Sequence, residues 1–183
     1  PGYADGWVNV ARARLQEGNL AGAGEMLEKA LELSPELPKA HFFMGLVRKG
    51  EGRNDEALAH LQRAAARFPR DRVVLNQLGR VQFLKRQHAQ AVETLKRVLA
   101  IDPEDLAAHY TLMLAYRGLG EAEAAARHEA LYRRFKADES AQALTGPYRQ
   151  LHPDDNNERQ AIHEHRASRP AAPPPGAGYG GRP

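Results

Sequence analysis

Three prolines stand 34 residues apart in this chain, at Pro35, Pro69 and Pro103. Each of them follows a stretch in which apolar residues recur every three or four positions, the spacing of one face of a helix. The residue before a proline avoids helical backbone angles, so each proline predicts that a helix ends shortly before it. Helices that end at a fixed interval indicate an internal repeat, in which one unit of structure is used several times.

Cutting the chain at this interval gives four segments, residues 4–37, 38–71, 72–105 and 106–139. Equivalent positions carry similar side chains: a large residue, a small one four positions later, a turn residue that is usually glycine, and an alanine. Glycine takes the left-handed backbone conformation that ends many helices, so each segment is predicted to be a helix, a turn and a second helix. In that order, the four positions hold Trp7, His41, Leu75 and His109; Ala11, Gly45, Gly79 and Met113; Gly18, Gly52, Arg86 and Gly120; and Ala23, Ala57, Ala91 and Ala125.

This combination of residues resembles the tetratricopeptide repeat (TPR), and the resemblance covers residues 4–139. It implies an all-α fold, a right-handed α-solenoid of antiparallel helix pairs, with the four segments as its repeats. At a position where TPRs usually carry an aromatic residue, three segments depart from the family with Arg14, Arg48 and Gln82, whereas Tyr116 of the fourth segment fits it. The fourth segment also departs near its end, as expected where a stack of repeats meets solvent or a cap.

Beyond the repeats, residues 140–151 are predicted to form a capping helix and residues 152–183 an extended tail. The tail ends in a proline- and glycine-rich stretch that holds too few apolar residues to fold alone. In an extended segment His163 and His165 would face the same side, a spacing that metal or haem ligands can have. We expect this pair to be incidental, and we expect the chain to use neither a metal nor a cofactor.

The resemblance also implies a binding surface, because TPR proteins commonly hold a partner segment on the concave face lined by the first helices. Aromatic side chains supply contact area there and cationic side chains supply charge-assisted hydrogen bonds, so the predicted partner is an extended segment with acidic and apolar residues. The alternative is an ordinary solvated face. The predicted groove residues are Arg12, Phe42, Lys49, Asn76, Arg80, Phe83, Tyr110 and Arg117.

The remaining residues indicate no catalysis. His41 and His109 hold the large position of their repeats and are expected in the core, whereas His60, His88 and His128 are expected on exposed surfaces of second helices. No nucleophile, base and acid can be assembled from the sequence, and no pair of carboxylates lies in apolar surroundings that would separate their pKa values. The chain has no cysteine, which excludes thiol chemistry and disulfides. We therefore expect a protein that is not an enzyme.

The composition argues against nucleic acid as a partner and against a membrane-spanning segment. The formal net charge is only +3, which is small for a nucleic-acid-binding protein, and no apolar run approaches the ~20 residues of a membrane span.

Two hypotheses for the function remain. The first hypothesis is a protein-interaction scaffold. The second is a structural subunit of an extracellular or envelope assembly, with a cytochrome-type protein as one partner and the tail tethering neighbouring subunits. Because the sequence begins at Pro1, a signal peptide could precede it, and an exported location is favoured over the cytoplasm.

Overall fold

The computed structural model describes the backbone of residues 2–142 and the side chains of residues 3–136. All regular structure in that range is helical, which confirms the predicted all-α fold. The helices are α1 (Gly2–Gln16), α2 (Leu20–Leu33), α3 (Pro38–Gly50), α4 (Asn54–Arg67), α5 (Arg72–Leu84), α6 (His88–Leu99), α7 (Leu106–Leu119) and α8 (Ala122–Gln142).

The helices pack as four consecutive hairpins, α1 with α2, α3 with α4, α5 with α6 and α7 with α8. Each second helix also packs against the first helix of the next hairpin. In addition, the first helices contact one another in sequence, from α1 through α3 and α5 to α7, whereas no comparable contact joins the second helices of the described chain. An array whose first helices are closer together than its second helices must curve, with the first helices lining its inner, concave face. The fold is therefore an α-solenoid.

The turns within the hairpins follow one backbone pattern. Gly18, Gly52 and Gly120 have φ angles of 76°, 76° and 77°, and Arg86 holds the same position with a φ of 60°. In each turn the N–H of the next residue donates to the carbonyl five residues earlier, as Asn19 does to Arg14 at 2.9 Å. This bond satisfies a carbonyl that the end of the first helix leaves without a partner. The residues predicted to form the turns are thus the ones at which the chain reverses direction between the two helices of a hairpin.

The small residues of the repeat lie where the two helices of a hairpin cross. A Cβ atom at Gly79 would lie 2.7 Å from Cγ and Cδ2 of Leu95, and one at Gly45 would lie 2.7 Å from Cγ of Leu61. Both leucines are fully buried. Glycine at these positions lets the helix axes approach closely enough for the leucine to fill the space between them.

The three repeated prolines lie, as predicted, in the connections between hairpins. Helices α2, α4 and α6 end at Leu33, Arg67 and Leu99, each a few residues before its proline. Two of the following helices begin with an aspartate cap: Asp71 accepts from the N–H groups of Val73 and Val74, and Asp105 from that of Ala108. An aspartate cap satisfies N–H groups that the first turn of a helix cannot bond internally. Helix α3 begins instead with Pro38, which needs no such partner.

The predicted C-terminal elements are mostly beyond the described residues. Residues 140–142 continue α8, while the rest of the predicted capping segment 140–151, the predicted tail 152–183 and the histidines His163 and His165 lie outside the described residues. Within residues 2–142, no helix has both the length and the apolar character needed to cross a membrane.

Candidate protein-binding groove

The predicted groove residues all belong to the first helices, so all of them lie on the inner row of the solenoid. Their exposure differs. Phe42 is only 2% exposed and packs edge-on against Phe43, with ring centroids 5.2 Å apart, whereas Tyr110 is 39% exposed. Arg12 and Phe83 are half-buried. A ligand in the groove would therefore meet Tyr110 and Phe83 readily, while Phe42 mainly supports the floor beneath it.

The middle of the groove holds two cations, Lys49 on α3 and Arg80 on α5. Lys49 on α3 donates from Nζ to Oε1 of Gln77 on α5 at 2.5 Å. Burial lowers the pKa of Lys49, and the nearby positive charge of Arg80 lowers it further. The guanidinium of Arg80 lies 5.8 Å from the ring centroid of Phe83. Among the described residues, no carboxylate forms an ion pair with either Lys49 or Arg80, so this part of the groove carries uncompensated positive charge.

Several other cations of the solenoid form ion pairs with carboxylates. Arg48 forms ion pairs with Glu28, Glu51 and Glu56 at 3.0, 2.9 and 3.6 Å. Arg117, one of the predicted groove residues, pairs with Glu129 at 2.6 Å. Lys85 pairs with Asp55. Lys49 and Arg80 differ from these three cations because no carboxylate of residues 3–136 forms an ion pair with them.

Asn76, also predicted as a groove residue, connects two first helices. Its Nδ2 donates to Oδ2 of Asp105 at 3.0 Å, and Arg72 donates to the same oxygen. Asp105 is 3% exposed, and its other oxygen caps α7 by accepting from Ala108 N–H at 2.8 Å. One buried carboxylate therefore fastens α5 to α7, and the amide nitrogen of Asn76 is used within the protein.

Aromatic side chains dominate the C-terminal end of the groove. The rings of Tyr110 on α7 and Tyr132 on α8 have centroids 5.4 Å apart. The ammonium of Lys136 lies 5.6 Å from the Tyr132 ring centroid. The groove therefore passes from a cationic middle to an aromatic end, which is a combination that protein-recognition surfaces favour.

Comparison with known sequences agrees with this architecture. The sequence model of the family described as tetratricopeptide repeat matches residues 14–76 and 48–113, which together cover more than half of the chain. The chain belongs to the tetratricopeptide repeat family. No curated protein sequence is significantly similar to it.

Solved structures agree with this fold over about three quarters of the chain. A crystal structure of MamA shares 21% identity with this chain at a TM-score of 0.70, covering 75% of this chain and 81% of that one. MamA 41-end from Desulfovibrio magneticus RS-1 shares 21% identity at a TM-score of 0.69, covering 74% and 76%. At this level of identity the likeness establishes the TPR fold.

Two histidine pairs within the TPR array were not predicted from the sequence. His41 and His109 are buried, at 2% exposure each, as expected for the large position of the repeat. The prediction that His60 and His128 are exposed is wrong: both are half-buried and each hydrogen-bonds a core histidine. The signal was present, because each pair is separated by 19 residues and the two pairs are two repeats apart.

His88 also departs from its predicted exposed position. Its ring centroid lies 5.5 Å from that of Phe83. The imidazole covers Gly118, where a Cβ atom would lie only 2.6 Å from its Nε2. The residue is half-buried between α5 and α7, because a glycine on α7 leaves room for a ring that the repeat pattern places at the start of a second helix.

The hydrogen bonds of each histidine pair determine which ring nitrogens carry a hydrogen. His41 Nε2 lies 2.8 Å from the carbonyl oxygen of Pro35, and since a carbonyl only accepts, this nitrogen carries the hydrogen. His41 Nδ1 is then the acceptor for Nδ1–H of His60, 2.9 Å away. His109, Pro103 and His128 repeat the arrangement, with both distances 2.9 Å.

Both partner histidines are neutral at pH 7. Burial, followed by repulsion from His41 and Arg63, lowers the pKa of His60 to about 4. Burial, followed by repulsion from His109 and Arg127, likewise lowers the pKa of His128 to about 4. Each pair is a hydrogen bond between a core histidine and a half-buried one. No group of three or more His, Cys, Asp or Glu side chains that could hold a metal comes together among the described residues.

Proposed function

We propose that this chain is a non-catalytic scaffold that binds an extended segment of a partner protein in the concave groove of its TPR array. The single observation that carries the proposal is the row of side chains on the inner helices, cationic at Lys49 and Arg80 and aromatic at Phe83 and Tyr110. Aromatic and arginine side chains contribute most of the binding free energy in many protein interfaces. A partner segment with acidic and apolar residues matches this row in charge and in surface character.

The alternative proposal, a structural subunit tethered through its tail, depends on residues 152–183, which lie outside the described residues. It remains a prediction, as do assembly between copies and a cytochrome-type partner. We favour the groove proposal because it is supported by contacts and charges within residues 3–136.

A peptide library displayed on phage tests the proposal. Peptides selected on the full chain are labelled with fluorescein, and their affinity is measured by fluorescence anisotropy. Replacing Tyr110 or Phe83 by serine should weaken binding about tenfold, because each change removes an aromatic contact in the groove. The matched control is Gln62→Ser on the exposed surface of the second helix α4. Selection of no peptide, or equal losses in all three variants, would contradict groove binding.

A further inference from the structure

We infer that α1 is the interface of a two-fold dimer, in which it packs antiparallel against α1 of a second copy of this chain. The contact surface, which we call the α1 face, consists of Gly6, Val10 and Ala13, and their spacing of four and three residues places them on one side of the helix. The predicted groove residue Arg12 lies on another side of α1. This inference therefore goes beyond the proposed function and does not depend on it.

The α1 face holds repeat positions that are buried in the other three first helices. Val10 is 43% exposed, whereas its equivalents are at most 5% exposed. Gly6 and Ala13 are also exposed, whereas their equivalents are fully buried. The equivalents are Met44, Leu78 and Leu112 for Val10, Ala40, Val74 and Ala108 for Gly6, and Val47, Val81 and Ala115 for Ala13.

The burial of these inner positions is supplied by the preceding hairpin. In the described chain every first helix packs against its own second helix, and α3, α5 and α7 also pack against the second helix before them. Since α1 differs from the other first helices in this second contact, the second contact is what buries the equivalent residues. The α1 face is thus built like a surface that another helix covers.

Exposed apolar side chains border the α1 face. Tyr3 is 74% exposed, and its ring lies edge-on to that of Trp7 with centroids 6.0 Å apart. Leu33 on α2 is 59% exposed and lies one turn after Lys29, whose Nζ is 4.9 Å from the Trp7 ring centroid. Because α1 and α2 are antiparallel, Leu33 is level with Tyr3. With Val10, three of the six large apolar side chains exposed in the described chain belong to the first hairpin, a concentration typical of an interaction surface.

The α1 face is complementary to itself. In an antiparallel pair of α1 helices centred between residues 9 and 10, Gly6 of one copy lies opposite Ala13 of the other, and the two Val10 side chains meet beside the two-fold axis. Glycine and alanine allow the helix axes to approach closely. Nothing lies within 4 Å of where a Cβ of Gly6 would be, so the second helix has room to pack there.

The charges of α1 do not oppose this pairing. The helix and the turn after it have no net charge, because their charged residues are Asp5, Arg12, Arg14 and Glu17. Arg14 lies seven residues after Trp7, on the same side of the helix. In the antiparallel pair Arg14 therefore comes next to Tyr3 and Trp7 of the other copy, where a guanidinium interacts favourably with the face of an aromatic ring.

The described part of α8 does not offer a matching surface for a head-to-tail contact. Arg133 on α8 holds the repeat position of Leu31, Ala65 and Leu99, and it forms an ion pair with Glu129 at 2.5 Å. Packing this pair against the apolar α1 face would remove two charges from water at a cost in free energy. A second copy therefore fits through α1 better than through α8.

The test measures the association of the full chain by sedimentation equilibrium. Monomers and dimers should be in equilibrium, with a dissociation constant in the micromolar range because an interface of one helix is small. Val10→Arg should raise that constant at least about tenfold, since it places two like charges at the two-fold axis. The matched control is Leu84→Arg on α5, because Leu84 is also 43% exposed, and it should leave the constant unchanged.

Cross-linking locates the contact independently. The chain has no cysteine, so a single introduced cysteine can form a disulfide only between two copies. Val10→Cys should form a disulfide-linked dimer on mild oxidation, whereas Leu84→Cys should stay monomeric under the same conditions. Both side chains are exposed, so neither change disturbs the core, and circular dichroism checks that the helices are retained.

Three results would overturn the dimer. They are a chain that stays monomeric at every concentration, an equal change of the dissociation constant with Val10→Arg and Leu84→Arg, and equal cross-linking through the two cysteines. Assemblies larger than two copies would overturn it in favour of a head-to-tail contact. The affinity of groove peptides for Val10→Arg should equal that for the unmodified chain, so the dimer and groove binding are tested separately.

Discussion

His41 and His60 face each other through their Nδ1 atoms, 2.9 Å apart, and a single hydrogen occupies the space between them. Protonating both imidazoles would direct two N–H groups at one another. His41 cannot avoid this by rotating, because its other nitrogen donates to the carbonyl of Pro35. The pair can therefore hold one extra proton but not two. His109 and His128 repeat the same geometry.

This arrangement predicts that the protein loses stability as the pH falls. In the unfolded chain His60 and His128 have the ordinary pKa of 6.5, whereas in the folded chain each is about 4. Between these values the unfolded state binds more protons, so the free energy of unfolding is fully present above pH 6.5 and decreases progressively towards pH 4. Urea denaturation at pH 7.5, 6.0 and 5.0 should show a falling midpoint. Because both histidines are partly exposed, solvent screening makes the loss smaller than the full pKa shift would give.

The third repeat supplies a control for this prediction. Where the second repeat has His41 and His60, the third has Leu75 and Thr94, both buried. The variant His41→Leu/His60→Thr copies that pair, and applying the equivalent change to His109 and His128 removes the second one. Stability should then depend less on pH between 6.5 and 4 with each replacement. A variant lacking both pairs that retained the full pH dependence would show that other groups cause it.

The turn at Arg86 predicts a stabilising substitution. Arg86 has a φ of 60°, a left-handed conformation that costs a residue with a Cβ roughly 1–2 kcal/mol. Arg86→Gly should raise the free energy of unfolding by about 0.5–1 kcal/mol, since the greater freedom of glycine in the unfolded chain offsets part of the gain. The reverse change, Gly52→Arg, should destabilise the protein at the equivalent turn. A lower thermal midpoint for Arg86→Gly would contradict the strain assigned to this turn.

The helix crossings predict destabilisation by added volume. Gly79→Ala places a Cβ 2.7 Å from buried Leu95, and overpacking of this kind costs about 1–3 kcal/mol. Gly79→Leu should cost more, and Ala57→Leu, at a fully buried alanine, should also be destabilising. Gly6→Ala is the control, because nothing lies within 4 Å of the added atom, so helix propensity alone should raise stability slightly. Thermal melts of the four variants give the ranking, and an unchanged midpoint for Gly79→Leu would contradict the register.

The turns and helix crossings were predicted correctly from the sequence, whereas the exposure of His60, His88 and His128 was not. Both outcomes have one physical explanation. A repeat places similar residues at equivalent positions, so the turn at Gly52 and the crossing at Gly79 could be read from glycine or another small residue recurring at one interval in most of the repeats. The pairing of His41 with His60 occurs in alternate repeats only, and the carboxylate of Asp105 finds Arg72 and Asn76 in one repeat alone. Such contacts depend on the side chains of two positions at once, which a pattern of single positions does not reveal.

The difference between the two aspartate caps gives the last prediction. Asp105 caps α7 and also accepts from Arg72 and Asn76, whereas the second oxygen of Asp71 is buried without a hydrogen-bond partner. Asp71→Ala should therefore cost about 1 kcal/mol, the value of a helix cap. Asp105→Ala should cost about 3 kcal/mol, because it also leaves a half-buried guanidinium without its main partner. Urea denaturation of both variants, with Arg72→Met added to each, separates the two contributions: Arg72→Met should recover part of the loss in the Asp105 variant and none in the Asp71 variant. Equal costs for the two aspartates would show that the connection between α5 and α7 adds nothing to the cap.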